Sequence, residues 1–449
     1  MKKMKWLASG LLCSALLTSG LTLAKDYTIS VVAGGSSDAD SYRTEAIAMA
    51  ADILMREAAV AGESLNIKVE QRSYNNWDDF KQAVTLAAES GKAPNIVVTG
   101  HEDIAAWAQS GLIVPIEDYI SLDSWPVNNI YPNLLNIASY NNRVYGLPQD
   151  AEARPFFAWK DHLAKLGYSA ADIDAFPDKI ATGEYTLYDM LNDAKKAQDM
   201  GLVEPGYGFY PRVSNGPDYW QFYTSFGGQL QDPQSHRLVF DQEAARKTYQ
   251  FFIDAVKMGV TRKNHIGTPW DQWYAEVAHG KAMFWHGGTW HYARYTGKEG
   301  LTDFFGNIQF SLIPAGDRSG KANTLTHPLV YLLTDQKNDD VQEIAAKLIQ
   351  IASEPRINTL HAIKSSHLGI TKEQLNIPLY ANNRWAMEAT ERLLPYASAM
   401  PNDTDFGNFW NIYWKGLEAA WTGQKTAEQA VKEAVTELRA TMANSVIIR

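Results

Sequence analysis

Over residues 28–111, β-rich runs and helical patterns take turns: TISVVA leads into EAIAMAADILM, SLNIKVEQRSY into WDDFKQAVTLAAES, and NIVVTG into DIAAWAQSG. A chain that passes repeatedly from strand to helix predicts an α/β sheet with helices over it, since each helix must bury its apolar stripe on a sheet face. Later, KNDDVQEIAAKLIQIASEP and TAEQAVKEAVTELRATM show apolar residues at helical spacing and open on plausible caps, Asn338 and Thr426. No regular repeat, low-complexity run or linker rich in Pro, Gly or Ser divides the chain. Its 449 residues exceed one simple core, so two lobes are expected. Without a linker between halves, two lobes arise most simply if the chain crosses between them more than once.

Residues 1–24 carry Lys2, Lys3 and Lys5, an apolar run from Trp6 to Leu17, and Thr22-Leu23-Ala24, a small-x-small ending. That order predicts a secretory signal peptide cleaved after Ala24, and an exported protein. The run is shorter than the ~20 apolar residues that span a bilayer, which argues against an anchor. Cys13 follows Leu12, where a lipoprotein signal would have a small residue. It is the one cysteine in the chain, so the mature protein is expected to hold neither a disulfide nor a thiolate metal site. The 41 basic residues less the three signal-peptide lysines, set against 51 acidic ones, leave a net charge of −13. Such a surface disfavours nucleic acid and anionic membrane, both of which demand cationic neutralisation.

The turn GGSSDADS, residues 34–41, lacks the lysine and hydroxyl of GxxxxGK[ST] and the spacing of GxGxxG, and Asp38 and Asp40 would repel a phosphate. Ser36 and Ser37 can offer hydroxyls and helix-start N–H groups to an uncharged ligand, or serve as ordinary caps. His286 and His291 are five apart and His361 and His367 six apart, so neither pair shares a helical face as in HExxH, and no metal is expected. There is no GxSxG elbow. In GLPQDAEARPFFAWK, Asp150, Glu152 and Arg154 alternate and would project to one side of an extended segment. They are read as acceptors for a ligand, as the carboxylate pair of a glycosidase, or as a solvated charged edge. Aromatic residues are abundant, with 14 Trp, 22 Tyr and 16 Phe. Several stand beside Gly, Asn or Pro, where loops are expected: Tyr219 and Trp220, Trp270, Trp290 and Trp410. Core packing accounts for most aromatics, but loop tryptophans near carboxylates suit a sugar, whose C–H faces pack on rings while its hydroxyls donate to charged oxygens.

Five stretches in order resemble the family 1 extracellular solute-binding proteins of ABC importers, of the maltose-binding type. PNIVVTGHEDIAAWAQSGLIVPI is similar to that family's PDI strand, acidic loop and AQSGL helix, which puts Glu102 and Asp103 in a ligand-contacting loop. PQDAEARPFFAWKDHL resembles the crossing segment whose glutamate, here Glu152, contacts sugar hydroxyls. GPDYWQFYTSFGG resembles a loop that supplies a stacking aromatic, which suggests Tyr219 and Trp220. HGKAMFWHGGTWHYA and MPNDTDFGNFW are similar to the segments that bring Trp290 and Trp410 over the site, and GQKTAEQAVKEAVTEL resembles the terminal helix. Ala158-Trp159-Lys160 stands where the family commonly has Tyr-Asn-Lys, and Ser36 and Ser37 where maltose binders place charged residues, so the likeness points to a carbohydrate without pointing to maltose.

The resemblance implies a bilobed, type II periplasmic-binding-protein fold, two α/β lobes with several hinge crossings. The expected lobes are 26–149 with 326–365, and 150–325 with 366–449. It further implies a periplasmic monomer that binds a small solute without a cofactor or chemical change and docks on a membrane permease with its ATPase subunits. An exported glycoside hydrolase and a binding protein for a non-sugar polar solute are the alternatives.

Overall fold

The computed structural model describes residues 25–35 and 42–449; the signal segment, together with Ser36 and Ser37, lies outside the described residues. Two sheets organise the chain. The first runs Leu65–Tyr74, Lys25–Gly34, Ile96–Gly100, Leu329–Thr334, Ile113–Val114, with Gly146–Pro148 also paired to Leu329–Thr334. Lys25–Gly34 lies parallel to both neighbours, whereas Leu329–Thr334 returns antiparallel from far along the chain. Ile96–Gly100 and Leu329–Thr334 are buried at every position, as strands covered on both faces must be. The helix Glu45–Val60 packs beside Asp339–Ala352, whose cap is Asn338, its side chain accepting from the N–H groups of Asp340 and Val341.

The second sheet is antiparallel, Phe284–His286, Phe156–Trp159, Ile308–Ser311, and likewise wholly buried. Phe176–Ala181 and Lys160–Lys165 pack on it, and Gln242–Lys257, Phe406–Trp421 and Ala427–Thr441 pack on one another, the last opened by a capping box between Thr426 and Gln429. Much of the core here is aromatic: Phe222, Phe251 and Phe252 pack on one another, and Phe252 stacks on Trp421 at 4.7 Å. Among the described residues no helix is long and apolar enough to cross a membrane.

The first sheet thus takes strands from both sides of the second in sequence, and the connecting segments lie together. Ala151 and Leu368 exchange backbone hydrogen bonds of 2.9 and 2.7 Å, and the Thr324 hydroxyl bridges the backbone N–H and carbonyl of Arg154 at 2.8 and 3.1 Å. Residues 366–381 bond to earlier segments: Tyr131 donates to the Ile370 carbonyl, Ile130 bridges Thr371, and Tyr380 packs against Ala362. The chain packs in the second lobe at the helix Arg384–Leu393, where Trp385 stacks on Tyr292 at 5.0 Å. It then passes back: Ala397–Ala399 pairs with Thr324–Thr326, and the Asn402 side chain accepts from the Ala105 N–H and donates to the Ser139 carbonyl.

Candidate functional site

The first wall of the site begins where Ile96–Gly100 ends in the short turn His101–Asp103. Gly100 leaves room there for the Glu102 carboxylate, whose Oε2 would lie 2.0 Å from a Cβ and would have to shift if one were present. Lys81, from the helix Trp77–Glu89, holds Asp103 at 2.7 Å and Glu102 at 3.3 Å, and the Thr99 hydroxyl donates to Asp103 at 2.6 Å. Glu102 Oε2 in turn lies 2.7 Å from Nε2 of His327, on the second crossing segment.

From His327 the charges continue into the second lobe. Its Nδ1 faces Glu152 at 4.0 Å; Glu152 pairs with Arg154 at 3.0 Å; Arg154 reaches Asp218 at 3.3 Å; and Arg212 meets the same aspartate at 3.1 Å. The alternation of sign from Lys81 to Arg212 leaves no member facing only its own kind. Burial pushes the Glu152 carboxyl up to about 7, with Arg154 and His327 pulling the other way. Burial, with Glu102 beside it, pushes Asp103 up to about 6. Glu102 is held well below the usual carboxylate range despite its burial, because His327 and Lys81 stabilise its charge. Asp218 is also held down against burial, by Arg154 and Arg212.

Trp270 and Trp290 flank these charges, and Trp410 stands at the loop that follows Arg212. The Arg154 guanidinium lies 4.4 Å from the centre of the Trp290 ring, and that of Arg212 lies 4.8 Å from Trp270 and 5.7 Å from Trp290. The Trp290 indole rests over Gly288, where a Cβ would come within 2.0 Å of the ring, and stacks on His367 at 5.6 Å. Trp410 donates its indole N–H to Asn215 at 2.6 Å, in the loop after Arg212. All three rings are half-buried. Around them Thr289 Oγ1, Thr326 Oγ1 and the Nε atoms of Arg154 and Arg212 are buried without a hydrogen-bond partner among the described residues. Groups of this kind beside half-buried rings can bond to an outside molecule.

The structure therefore brings together Glu102, Asp103, Glu152, Trp270 and Trp290, while Trp410 is tied to them only through Asn215 in the loop after Arg212. It does not add Tyr219 or Trp220. Trp220 is fully buried between Tyr413 at 4.0 Å and Phe409 at 5.2 Å, both nearly parallel to it, and has no ring face left to offer. Tyr219 is 1% exposed, its hydroxyl donates to the Arg212 carbonyl, and its ring packs on Trp414. Both are core residues of the second lobe. Asp150 serves the hinge: fully buried, it binds His361 Nε2 at 3.0 Å and the Leu329 N–H at 3.2 Å. The idea of a solvated charged edge fails for Asp150, Glu152 and Arg154 alike, at 0%, 3% and 3% exposed. Lys81, Arg212, Asp218 and His327 were missed on sequence. Only Asp218 carried a signal, as an acid directly before the two aromatics already singled out.

A groove of about 1340 Å³ also lies between Asn136–Val144 and Gly228–Gln231, walled by Ser398–Thr404, but none of the charged chain lines it.

Residues 57–387 match the family model described as bacterial extracellular solute-binding protein. The fold is similar to that of the GacH receptor of Streptomyces glaucescens GLA.O, solved unliganded and with acarbose and an acarbose homolog, at 16% identity over 94% of this chain and 99% of that one, with a TM-score of 0.74. It is similar to maltose-bound T. maritima MalE3, at 18% identity over 93% of this chain and 100% of that one, TM-score 0.73. The sugar-binding protein MalE of Xanthomonas citri matches at 16% identity over 93% of this chain and 97% of that one, TM-score 0.73. At such identities the likeness establishes the fold, two α/β lobes joined by several crossings.

Proposed function

The chain belongs to the bacterial extracellular solute-binding proteins, and from that premise we propose that it is the binding component of an ABC importer, holding a carbohydrate between its lobes and delivering it to a membrane permease. The observation that carries the carbohydrate is the pair of half-buried tryptophans 270 and 290 on the Arg154 and Arg212 guanidiniums, beside buried hydroxyl and guanidinium Nε groups without a hydrogen-bond partner among the described residues, with Trp410 at the neighbouring loop. Rings take the C–H faces of a sugar and the charged groups take its hydroxyls. Because the charges of the cleft already pair among themselves, an uncharged polyol can enter without leaving one of them buried and unmatched.

Binding changes no bond. Glu102 and Asp103 approach from the first lobe, Glu152 and Trp290 from the crossing and the second, so contacts to all of them exist together only when the lobes are closed. A ligand that makes them shifts the population toward closure. A micromolar dissociation constant corresponds to about −8 kcal/mol, which a few charge-assisted hydrogen bonds and ring contacts can supply after entropy costs. The solved relatives named above were studied with acarbose and with maltose, which supports a sugar here. The protein acts in the periplasm as a monomer after cleavage behind Ala24, with permease and ATPase subunits as its membrane partners.

One observation favours a second reading. Glu102 is held acidic while Glu152 is raised to about 7, and carboxyls of split acidity are what a glycosidase uses. Mass spectrometry of the solute that copurifies, followed by calorimetry with it, decides between them. An oligosaccharide recovered and rebound intact supports the binder; its steady hydrolysis by the pure protein overturns it.

A further inference from the structure

His101, Glu102 and His327 meet at the first-lobe wall, although the second histidine is 225 residues beyond the glutamate. One nitrogen from each ring and one Glu102 oxygen lie within 4.8 Å of one another, and the rings stand edge to face with centres 5.0 Å apart. Each group is also braced from behind. His101 sets Nε2 3.1 Å from the Met400 carbonyl, so the ring donates there, and its Nδ1 is fully buried on the side where the Pro328 carbonyl also approaches the ring. His327 places Nε2 on Glu102 and turns Nδ1 toward the Glu152 carboxylate at 4.0 Å. Glu102 has Oε1 on Lys81, while Oε2 points at His327. Imidazoles that bind metal almost always give their other N–H to a carbonyl or a carboxylate, and ligating carboxylates are themselves hydrogen-bonded.

We propose that His101, Glu102 and His327 form a site for a divalent transition metal of the Zn²⁺ type, open at the remaining position to water or a ligand hydroxyl. Two nitrogens and one oxygen suit Zn²⁺, whereas Mg²⁺ and Ca²⁺ favour shells made of oxygen. Tetrahedral Zn²⁺ with bonds of ~2.0–2.2 Å separates its donors by roughly 3.2–3.6 Å, so the ion enters by widening the contact between Glu102 and His327 and drawing His101 inward. The facing charges act in both directions. Lys81 opposes the cation, and Glu152 and Asp103 favour it. A bound ion would tie the turn after Gly100 to the second crossing segment and, through Met400, to the returning strand. The site stands independently of which solute the cleft carries, and reading histidine spacing could not find it, since each histidine comes from a separate part of the chain.

The test uses the mature chain stripped of metal with a chelator and titrated with Zn²⁺, Mg²⁺ and Ca²⁺ by calorimetry, alongside Glu102→Gln and His327→Gln. One Zn²⁺ per chain is expected, with little heat from the other two ions, and each variant should lose about tenfold or more in zinc affinity. Lys81→Ala should bind zinc more tightly. Thermal melts without metal verify that the variants fold. If one does not, zinc-edge X-ray absorption on the wild-type protein must show two imidazoles and one carboxylate. No zinc binding, undiminished binding by the folded variants, or a zinc shell without two imidazoles would each overturn the proposal.

Discussion

Trp220 and Trp410 both follow a glycine within a few residues, and on sequence both read as loop tryptophans. Their neighbours separate them: Trp220 is sandwiched by Tyr413 and Phe409, while Trp410 keeps part of its ring outside the core and fixes its N–H on Asn215. Glycine and proline reveal where a chain turns, but which way a ring then points depends on helices hundreds of residues away. Trp220→Ala should therefore lower unfolding stability by about 3–5 kcal/mol in a denaturant titration, as emptying a large core site does. Trp410→Ala should leave the melting temperature within a few degrees of wild type and weaken ligand binding by roughly 2 kcal/mol in calorimetry, the effect of a central interfacial tryptophan. Equal melting losses in the two variants would place Trp410 in the core and remove it from the site. Glu152→Gln takes the charge from one acceptor while Arg154 keeps Asp218, so a loss of about 1–2 kcal/mol in binding is expected.

At the scale of elements, strands and helices were legible because their periods are written locally. TISVVA, SLNIKVEQRSY and NIVVTG fall in the strands Lys25–Gly34, Leu65–Tyr74 and Ile96–Gly100, and Asn338 and Thr426 cap their helices through the expected side-chain bonds. What local pattern could not supply are the long-range partners, such as Tyr131 for Ile370 and Asn358 for Gln374, that hold residues 366–381 and that no periodicity identifies. The crossings carry their own pH dependence through Asp150. Burial alone would raise its pKa, but the charge of His367 and the hydrogen bond with His361 lower it from 3.8 to about 2. A depressed folded-state value contributes stability that is full above the unfolded pKa and is lost as pH falls from about 4 through about 2. The shift is worth about 2 kcal/mol. Urea midpoints measured between pH 6 and pH 2.5 should fall more steeply for the wild type than for Asp150→Asn, and parallel curves would show that the hinge aspartate does not drive the acid limb.

For the molecule as a whole, the two sheets share no strand, and the lobes are joined by a few paired crossing residues such as Ala151 with Leu368 and Arg154 with Thr324. One continuous set of buried apolar side chains passes from the first sheet through Ala151 and Ala153 into the second, so the hinge turns about small side chains at the crossing. The acidic turn at Glu102 and Asp103 stands on one side of the hinge and Trp290 and Trp410 on the other. A solute gripped by both sides must hold them together, and one gripped by a single side leaves the hinge free. Small-angle scattering on the mature chain should therefore show a smaller radius of gyration with the copurifying solute than without it, and Trp410→Ala should require more solute to reach the same compaction. A ligand that binds tightly by calorimetry yet leaves the radius unchanged would mean that the site lies within one lobe, and closure would then have no part in how this protein recognises its cargo.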